Sequence, residues 1–282
     1  MGTDALTLSE AAQELGVHYM TAYRYVRTGR LPAARLAAGW LVERADLGLV
    51  RKGPSAAAGL RPRARPGQTP QARLEARLVA GDEPGAWAVV ESALASGMGP
   101  DSLLLEHLAP AMRSVGERWA GGHLSVADEH VATTVANRVI GRLGARFARR
   151  GVRRGTVVIA APAGETHSLP VAMGANLLRW KGFEVIELGA DTPPDALAAA
   201  LPKQGGLLAV GLVCTTAASC QDAAEAIAAV RQSAPETPVL LGGAAISGAD
   251  HARQLGAGLF TGKRGDGLVR AVEALSRAGR AT

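Results

Sequence analysis

Cysteine is scarce in this 282-residue chain: Cys214 and Cys220 are the only two. That is too few for a disulfide scaffold or a Cys-rich zinc site, and a reducing cytoplasm is the expected location. No run reaches the about 18 consecutive apolar residues that a membrane-spanning helix requires, so no membrane partner is expected. Met1 to Leu8 holds no basic segment followed by an apolar one, so no secretory signal is expected either. Two nucleotide signatures are missing as well. No G-x-G-x-x-G follows the first strand-like run of the second half, and G-x-x-x-x-G-K-[ST] does not occur. These absences exclude a dinucleotide fingerprint and a phosphate-binding P-loop.

What is present suits a multidomain chain with real cores: 48% of residues are hydrophobic and 20% charged, and the length predicts about two domains, or three if some are small. The formal charge of +6 is concentrated at one end. Residues 1–66 hold ten Lys/Arg against Asp4, Glu10, Glu14, Glu43 and Asp46, a net of +5. Such a basic segment on a near-neutral body predicts a module that binds a polyanion, nucleic acid first.

Composition divides the rest. Residues 53–70, GPSAAAGLRPRARPGQTP, carry four prolines and no acid; so little apolar surface predicts a flexible linker. Residues 71–150 show helical apolar spacing, as at Leu103, Leu104, Leu108, Met112 and Val115. Gly81-Asp82, Gly97 to Pro100 and Gly121-Gly122 punctuate the stretch, predicting a four-helix bundle. Residues 151–282 alternate short apolar runs (Thr156–Ala161, Glu184–Leu188, Leu207–Val213, Pro238–Gly242, Gly258–Thr261) with helix-length segments. This pattern predicts a doubly wound, flavodoxin-like (Rossmann-like) parallel sheet. Ligands of such sheets bind at the carboxyl ends of the strands, here Ala163–Pro170, Gly189–Pro193, Cys214–Ser219 and Gly242–Ala245.

Within residues 1–52, Leu8 opens a helix with Ser9 as the expected N-cap. A second helix, His18–Thr28, follows a glycine turn, then a strand-like pair, Ala34–Leu36 and Trp40–Glu43, and a last helix from Arg44. This order resembles the winged helix-turn-helix of the MerR and excisionase families. The resemblance implies operator DNA as partner, with Thr21, Arg24 and Arg27 facing the major groove and Arg30 and Arg35 meeting phosphates. On a helix taken alone, Arg24 and Arg27 would as readily solvate one face while Tyr23 and Tyr25 enter the core.

In the third segment, Gly164-Glu165-Thr166-His167-Ser168-Leu169-Pro170 follows the first strand. A histidine two residues after a carboxylate can ligate a metal through one ring nitrogen while the acid orients the other; a lone loop histidine is also commonly just hydrogen-bonded. The loop resembles the D-x-H-x-x-G motif of cobalamin-binding domains, with Glu165 for Asp and Pro170 for Gly. The resemblance implies His167 as the lower cobalt ligand and Gly242-Gly243 as the pair beside the nucleotide tail. The family's S-x-L stretch is Val213-Cys214-Thr215 here, leaving Thr215, Thr216 and Ser219 as substitute hydroxyls. Trp119, nine residues, then Glu129-His130 is similar to the W-x9-E-H motif of CarH-type cobalamin photoreceptors. That resemblance implies adenosylcobalamin as cofactor, with Trp119, Val126, Glu129 and His130 about its upper face. It further implies a non-enzymatic transcriptional regulator, expected to be a repressor. It would form a dimer or tetramer in the dark and lose oligomer and DNA affinity when light cleaves the cobalt–carbon bond. Ala120 stands where such proteins carry a second histidine, and neither His123 nor His130 has the family spacing. The alternatives are a light-independent cobalamin sensor, a regulator assisted by a second chromophore such as a bilin, and a corrinoid methyl carrier.

Overall fold

The computed structural model describes residues 4–17, 19–27, 31–36, 39–50, 69–147, 151, 153–202 and 205–279. Of the expected linker only Thr69 and Pro70 lie within these, and they already belong to a helix. Thr69 caps it by accepting the Ala72 N–H at 3.2 Å, and Pro70 opens it, where its missing N–H costs nothing.

The N-terminal part begins with strand β1 (Ala5–Thr7), which sequence reading had not anticipated, and helix α1 (Leu8–Leu15). The N-cap of α1 is Thr7, not Ser9. Thr7 Oγ1 accepts the Glu10 N–H while the Glu10 carboxylate accepts the Thr7 N–H at 2.8 Å, a reciprocal capping box. Gly16 ends α1 in the left-handed conformation, φ 63°, its N–H returning to Ala12 and Gln13. Helix α2 (Tyr19–Arg27), strands β2 (Ala34–Leu36) and β3 (Gly39–Glu43) and a 3₁₀ turn at Arg44–Leu49 follow. The strands form an antiparallel sheet in the order β1-β3-β2. Leu6, Leu8, Ala11, Ala12, Leu15, Ala22, Tyr25, Leu31, Val42 and Val50 make its core.

The helical cap comprises α3 (Pro70–Val79), α4 (Glu83–Ala95), α5 (Pro100–Ser102), a π-helical turn at Leu103–Leu108, α6 (Ala109–Ala120) and α7 (Val126–Phe147). α5, the π turn and α6 are consecutive in the chain. Asp82 caps α4 through the Gly85 N–H and pairs with Arg77 at 2.5 Å. Ser125 and Asp128 cap each other's backbone N–H at the start of α7, at 2.8 and 3.1 Å. That exchange fixes the first turn of the helix that carries Glu129.

The last part is a five-stranded parallel sheet of β4 (Thr156–Pro162), β5 (Glu184–Thr192), β6 (Leu207–Val213), β7 (Val239–Gly242) and β8 (Leu259–Phe260), ordered β5-β4-β6-β7-β8. Between them run α8 (Leu169–Trp180), α9 (Pro194–Ala199), α10 (Ser219–Ser233) and α11 (Ala249–Gln254), and α12 (Gly265–Ala278) follows. The strand order reverses between β4 and β6, so their carboxyl-end loops frame the crevice where such sheets bind ligands.

One face of this sheet shares its core with the cap. Leu104, Leu108, Val139, Leu143 and Phe147 of the cap belong to the same buried cluster as Ile159, Leu177, Leu178 and Phe183. Phe147 meets Trp180 edge-on, ring centroids 6.2 Å apart, a favoured aromatic geometry. The opposite face has its own core around Val158, Val210, Leu212, Ile227 and Leu241. No helix among the described residues is long and apolar enough to cross a membrane.

Candidate functional site

Glu165 is the node of the crevice. It follows β4 in a turn closed by its own N–H to the Pro162 carbonyl at 3.0 Å, and it has no solvent exposure. A buried carboxylate persists as an ion only if donors surround it. Here Oε2 accepts the N–H groups of Thr215 and Thr216 at 2.6 and 3.1 Å and the Ser219 hydroxyl at 3.0 Å. Oε1 accepts the His167 N–H at 3.1 Å and lies 2.5 Å from His167 Nδ1. Burial alone would raise the carboxyl pKa, but the His167 side chain and the backbone donors of Thr215 and His167 outweigh it. The carboxyl is held at about 2.

His167 feels the converse. The hydrogen bond to Glu165 raises its pKa, burial opposes, and the charges of Glu165 and Glu129 add to the rise. With Glu165 ionised, the Nδ1 proton sits against Oε1, which directs the neutral imidazole's lone pair onto Nε2. Thr215 Oγ1, 2.9 Å from Nδ1, holds the ring from the β6 side. The imidazole is half exposed, so Nε2 can meet a ligand entering the crevice.

Glu129 approaches from the cap. Its carboxylate accepts the Thr133 hydroxyl at 2.7 Å and lies 2.7 Å from His130 Nδ1. Its charge adds to the rise of the His167 pKa. Val126 opens that helix, and Trp119, partly buried against the cap core, lies in the last turn of α6. His130 is largely exposed and engages Glu129, not His167.

Gly242 and Gly243 have a reason within the chain itself. A Cβ on Gly242 would sit 2.2 Å from Thr261 Oγ1, and one on Gly243 would sit 2.1 Å from the Cys214 carbonyl oxygen. These glycines let the loops after β6, β7 and β8 close on one another, with Gly243 N–H bonding the Gly262 carbonyl at 3.1 Å. Pro170 lies in the first turn of α8, where its ring replaces an N–H that has no helical partner. Both thiols are shifted away from the reactive thiolate form. Burial pushes Cys214 up to about 12 and Cys220 also upward.

Thr21 corrects an expectation. It is 4% exposed, its hydroxyl buried inside the N-terminal core without a hydrogen-bond partner, so it faces inward and cannot read DNA. Tyr25 on the same helix is buried as well. Arg30 and the side chains of Arg24, Arg27 and Arg35 lie outside the described residues. Sequence reading also passed over Asp191 at the end of β5. Its carboxylate accepts the Gly164 N–H at 2.8 Å and its N–H donates to the Glu165 carbonyl at 2.9 Å. The signal available was Gly189–Pro193, identified as a carboxyl-end loop but assigned no residue role.

Among the described residues no group of three or more His, Cys, Asp and Glu could hold a bare ion. One half-exposed imidazole with an oriented Nε2 fits a metal that arrives with most of its ligands already bound, as in a corrinoid ring. Comparison with known proteins gives the class. Residues 5–47 match the helix-turn-helix domain family, residues 70–143 one B12 binding domain family and residues 155–272 another. The chain thus joins a helix-turn-helix domain to a helical B12-binding cap and a parallel-sheet B12-binding domain.

This chain is similar to a transcriptional repressor of CarH type. It is 34% identical over 166 residues to the HTH-type transcriptional repressor CarH of Myxococcus xanthus, covering 58% of this chain and 54% of that one. It is also 32% identical over 115 residues to trimethylamine corrinoid protein 1 of Methanosarcina acetivorans, covering 40% of this chain and 53% of that one. The chain spans about half the length of these relatives. Among solved structures, the monomethylamine corrinoid protein of Methanosarcina barkeri superposes with a TM-score of 0.63 at 16% identity, over 71% of this chain and 96% of that one. That likeness establishes the fold of the cap and sheet.

Proposed function

We propose that the chain is a DNA-binding transcriptional repressor, not an enzyme, that carries adenosylcobalamin and uses it as a light sensor. The observation that carries this reading is the Glu165–His167 pair at the strand-order switch with Glu129 of the cap acting on it. His167 Nε2 would hold the cobalt, with Glu165 fixing the ring and its tautomer. Trp119, Val126 and Glu129 are the cap residues that would meet its other side, an indole face and a carboxylate suited to an adenine and its ribose hydroxyls. Thr215 and Thr216 would line the tail side, whereas Ser219, expected there as a substitute hydroxyl, is fully buried and turned to Glu165. When bound, the cofactor supplies a light-labile cobalt–carbon bond. The cap packs on the same sheet through Phe147 and Trp180, so any contacts its residues would make to the cofactor's upper group would exist in one state only, as a ligand-driven switch requires.

The N-terminal part is read as a winged helix-turn-helix of MerR type, with β2 and β3 as the wing and α2 in the major groove. A homo-oligomer held in the dark would bind operator DNA through several such modules at once, and its dissociation would remove that avidity. One observation favours a second reading: the chain is 32% identical over 115 residues to a trimethylamine corrinoid protein, which fits a corrinoid carrier. The helix-turn-helix domain argues for regulation.

The test is an absorption spectrum of the purified chain after dark incubation with adenosylcobalamin and desalting, taken before and after green light. Retained cobalamin whose spectrum converts supports the photoreceptor. Retention with no light response supports a cobalamin sensor or carrier, and no retention overturns the cofactor assignment.

A further inference from the structure

We infer that Asp191 is a positioning residue for the lower-ligand loop, the group that sets where His167 Nε2 stands; this rests on the cobalamin reading above. Asp191 is the only non-glycine among the described residues with a left-handed backbone, φ 51°. Such a conformation is strained for a side-chain-bearing residue, least so for Asp and Asn, and persists where surrounding structure demands it. The demand is visible in the strand. The β4–β5 register runs Ile159 to Glu187, then Ala160 to Gly189, then Pro162 to Thr192. β5 therefore takes in one extra residue at each of two successive shifts, with Gly189 at φ 84° between them. Bulges of this kind re-aim side chains beside sites. Here they turn the Asp191 carboxylate off the sheet edge and onto the Gly164 N–H at 2.8 Å, while the Asp191 N–H takes the Glu165 carbonyl at 2.9 Å.

The two bonds clasp the loop on both sides of the Gly164–Glu165 peptide. Gly164 is itself left-handed, φ 74°, so this segment has little helical or strand bonding of its own to hold it. The Glu165 side chain is already fixed by Thr215, Thr216 and Ser219 on the β6 side. Asp191 fixes its backbone from the β5 side. His167 hangs from a residue pinned between two strands, and removing one pin leaves the imidazole on a looser arm.

The test uses the full chain with hydroxocobalamin in Asp191→Gly and Asp191→Asn. Glycine removes the acceptor but is at ease with the backbone, so the cofactor-free protein should melt within about 3 °C of the parent. Its hydroxocobalamin affinity should nevertheless fall about tenfold, the scale of a lost supporting bond behind a metal ligand. Its spectrum should also move toward that of cobalamin without a histidine ligand. Asparagine keeps an acceptor and tolerates the left-handed region, and should restore both readings. Parental affinity and spectrum in Asp191→Gly, or an Asp191→Asn as impaired as the glycine variant, would overturn the assignment. If the parent itself fails to bind hydroxocobalamin, the cobalamin reading falls. The positioning role is then read in the cofactor-free chain, where Asp191→Gly should speed amide exchange at Gly164 and His167 at least tenfold. Unchanged exchange there would likewise overturn it.

Discussion

Glu165 Oε1 lies 2.5 Å from His167 Nδ1, and the other carboxylate oxygen is saturated by three donors from the loop after β6 and the start of α10. The pair is thus a bridge between two loops as well as an orienting contact. Glu165→Gln preserves the shape but not the charge, and it places an amide NH₂ among donors. Leaving such donors unmatched costs about 1–3 kcal/mol each. We expect a lower melting temperature and a cobalamin affinity reduced about 10- to 100-fold, measured by melting and equilibrium dialysis on the same preparation.

The same pair fixes a pH dependence. The folded Glu165 carboxyl titrates at about 2 against an ordinary 4.5, so it is depressed and its stabilisation is present above about 4.5. That contribution is lost as pH falls from 4.5 toward 2 and amounts to roughly 3 kcal/mol. His167 is raised, so its contribution is complete below its ordinary 6.5 and is lost as pH rises through its higher folded value. Melting temperatures of the cofactor-free chain should therefore drop steeply on acidification below 4.5 and sag more gently on the alkaline side. Glu165→Gln should flatten both slopes; unchanged slopes would sink the assignment.

Glu129 adds to the rise of His167 from across the crevice. Glu129→Gln removes that charge without touching Glu165, so the His167 pKa should move down while the fold holds. An NMR titration of the His167 ring in the cofactor-free chain reads this directly. An unmoved titration would mean that the Glu129 charge does not reach His167 in solution.

Much of this was legible in the sequence, for reasons that differ by residue. The parallel sheet announced itself because strands buried on both faces read as unbroken apolar runs, as in Thr156–Ala161. The E-x-H spacing marked the site because both residues lie in one short loop. Asp191 stayed hidden because its role depends on two register shifts between β4 and β5, and a one-residue slip leaves no periodicity to read. The N-cap went to Thr7 for a similarly local reason: only the Thr7–Glu10 spacing completes a capping box, while Ser9 falls inside the first turn. Thr21 was misread because helix position alone does not say which face meets the core.

Thr21 supplies the last test. Its hydroxyl is buried without a hydrogen-bond partner, so it contributes a desolvated polar group and no compensating bond. Thr21→Val keeps the branched shape and removes that group. Stability should stay level or rise by up to about 1 kcal/mol, and operator affinity and its salt dependence should match the parent in a mobility-shift titration. Arg24→Ala is the contrast. A residue that neutralises one phosphate should lower the salt slope by about 0.9 when lost. If Thr21→Val weakens DNA binding while the melting temperature holds, α2 meets DNA through the face that the N-terminal core covers in this structure, and the inward assignment of Thr21 is wrong.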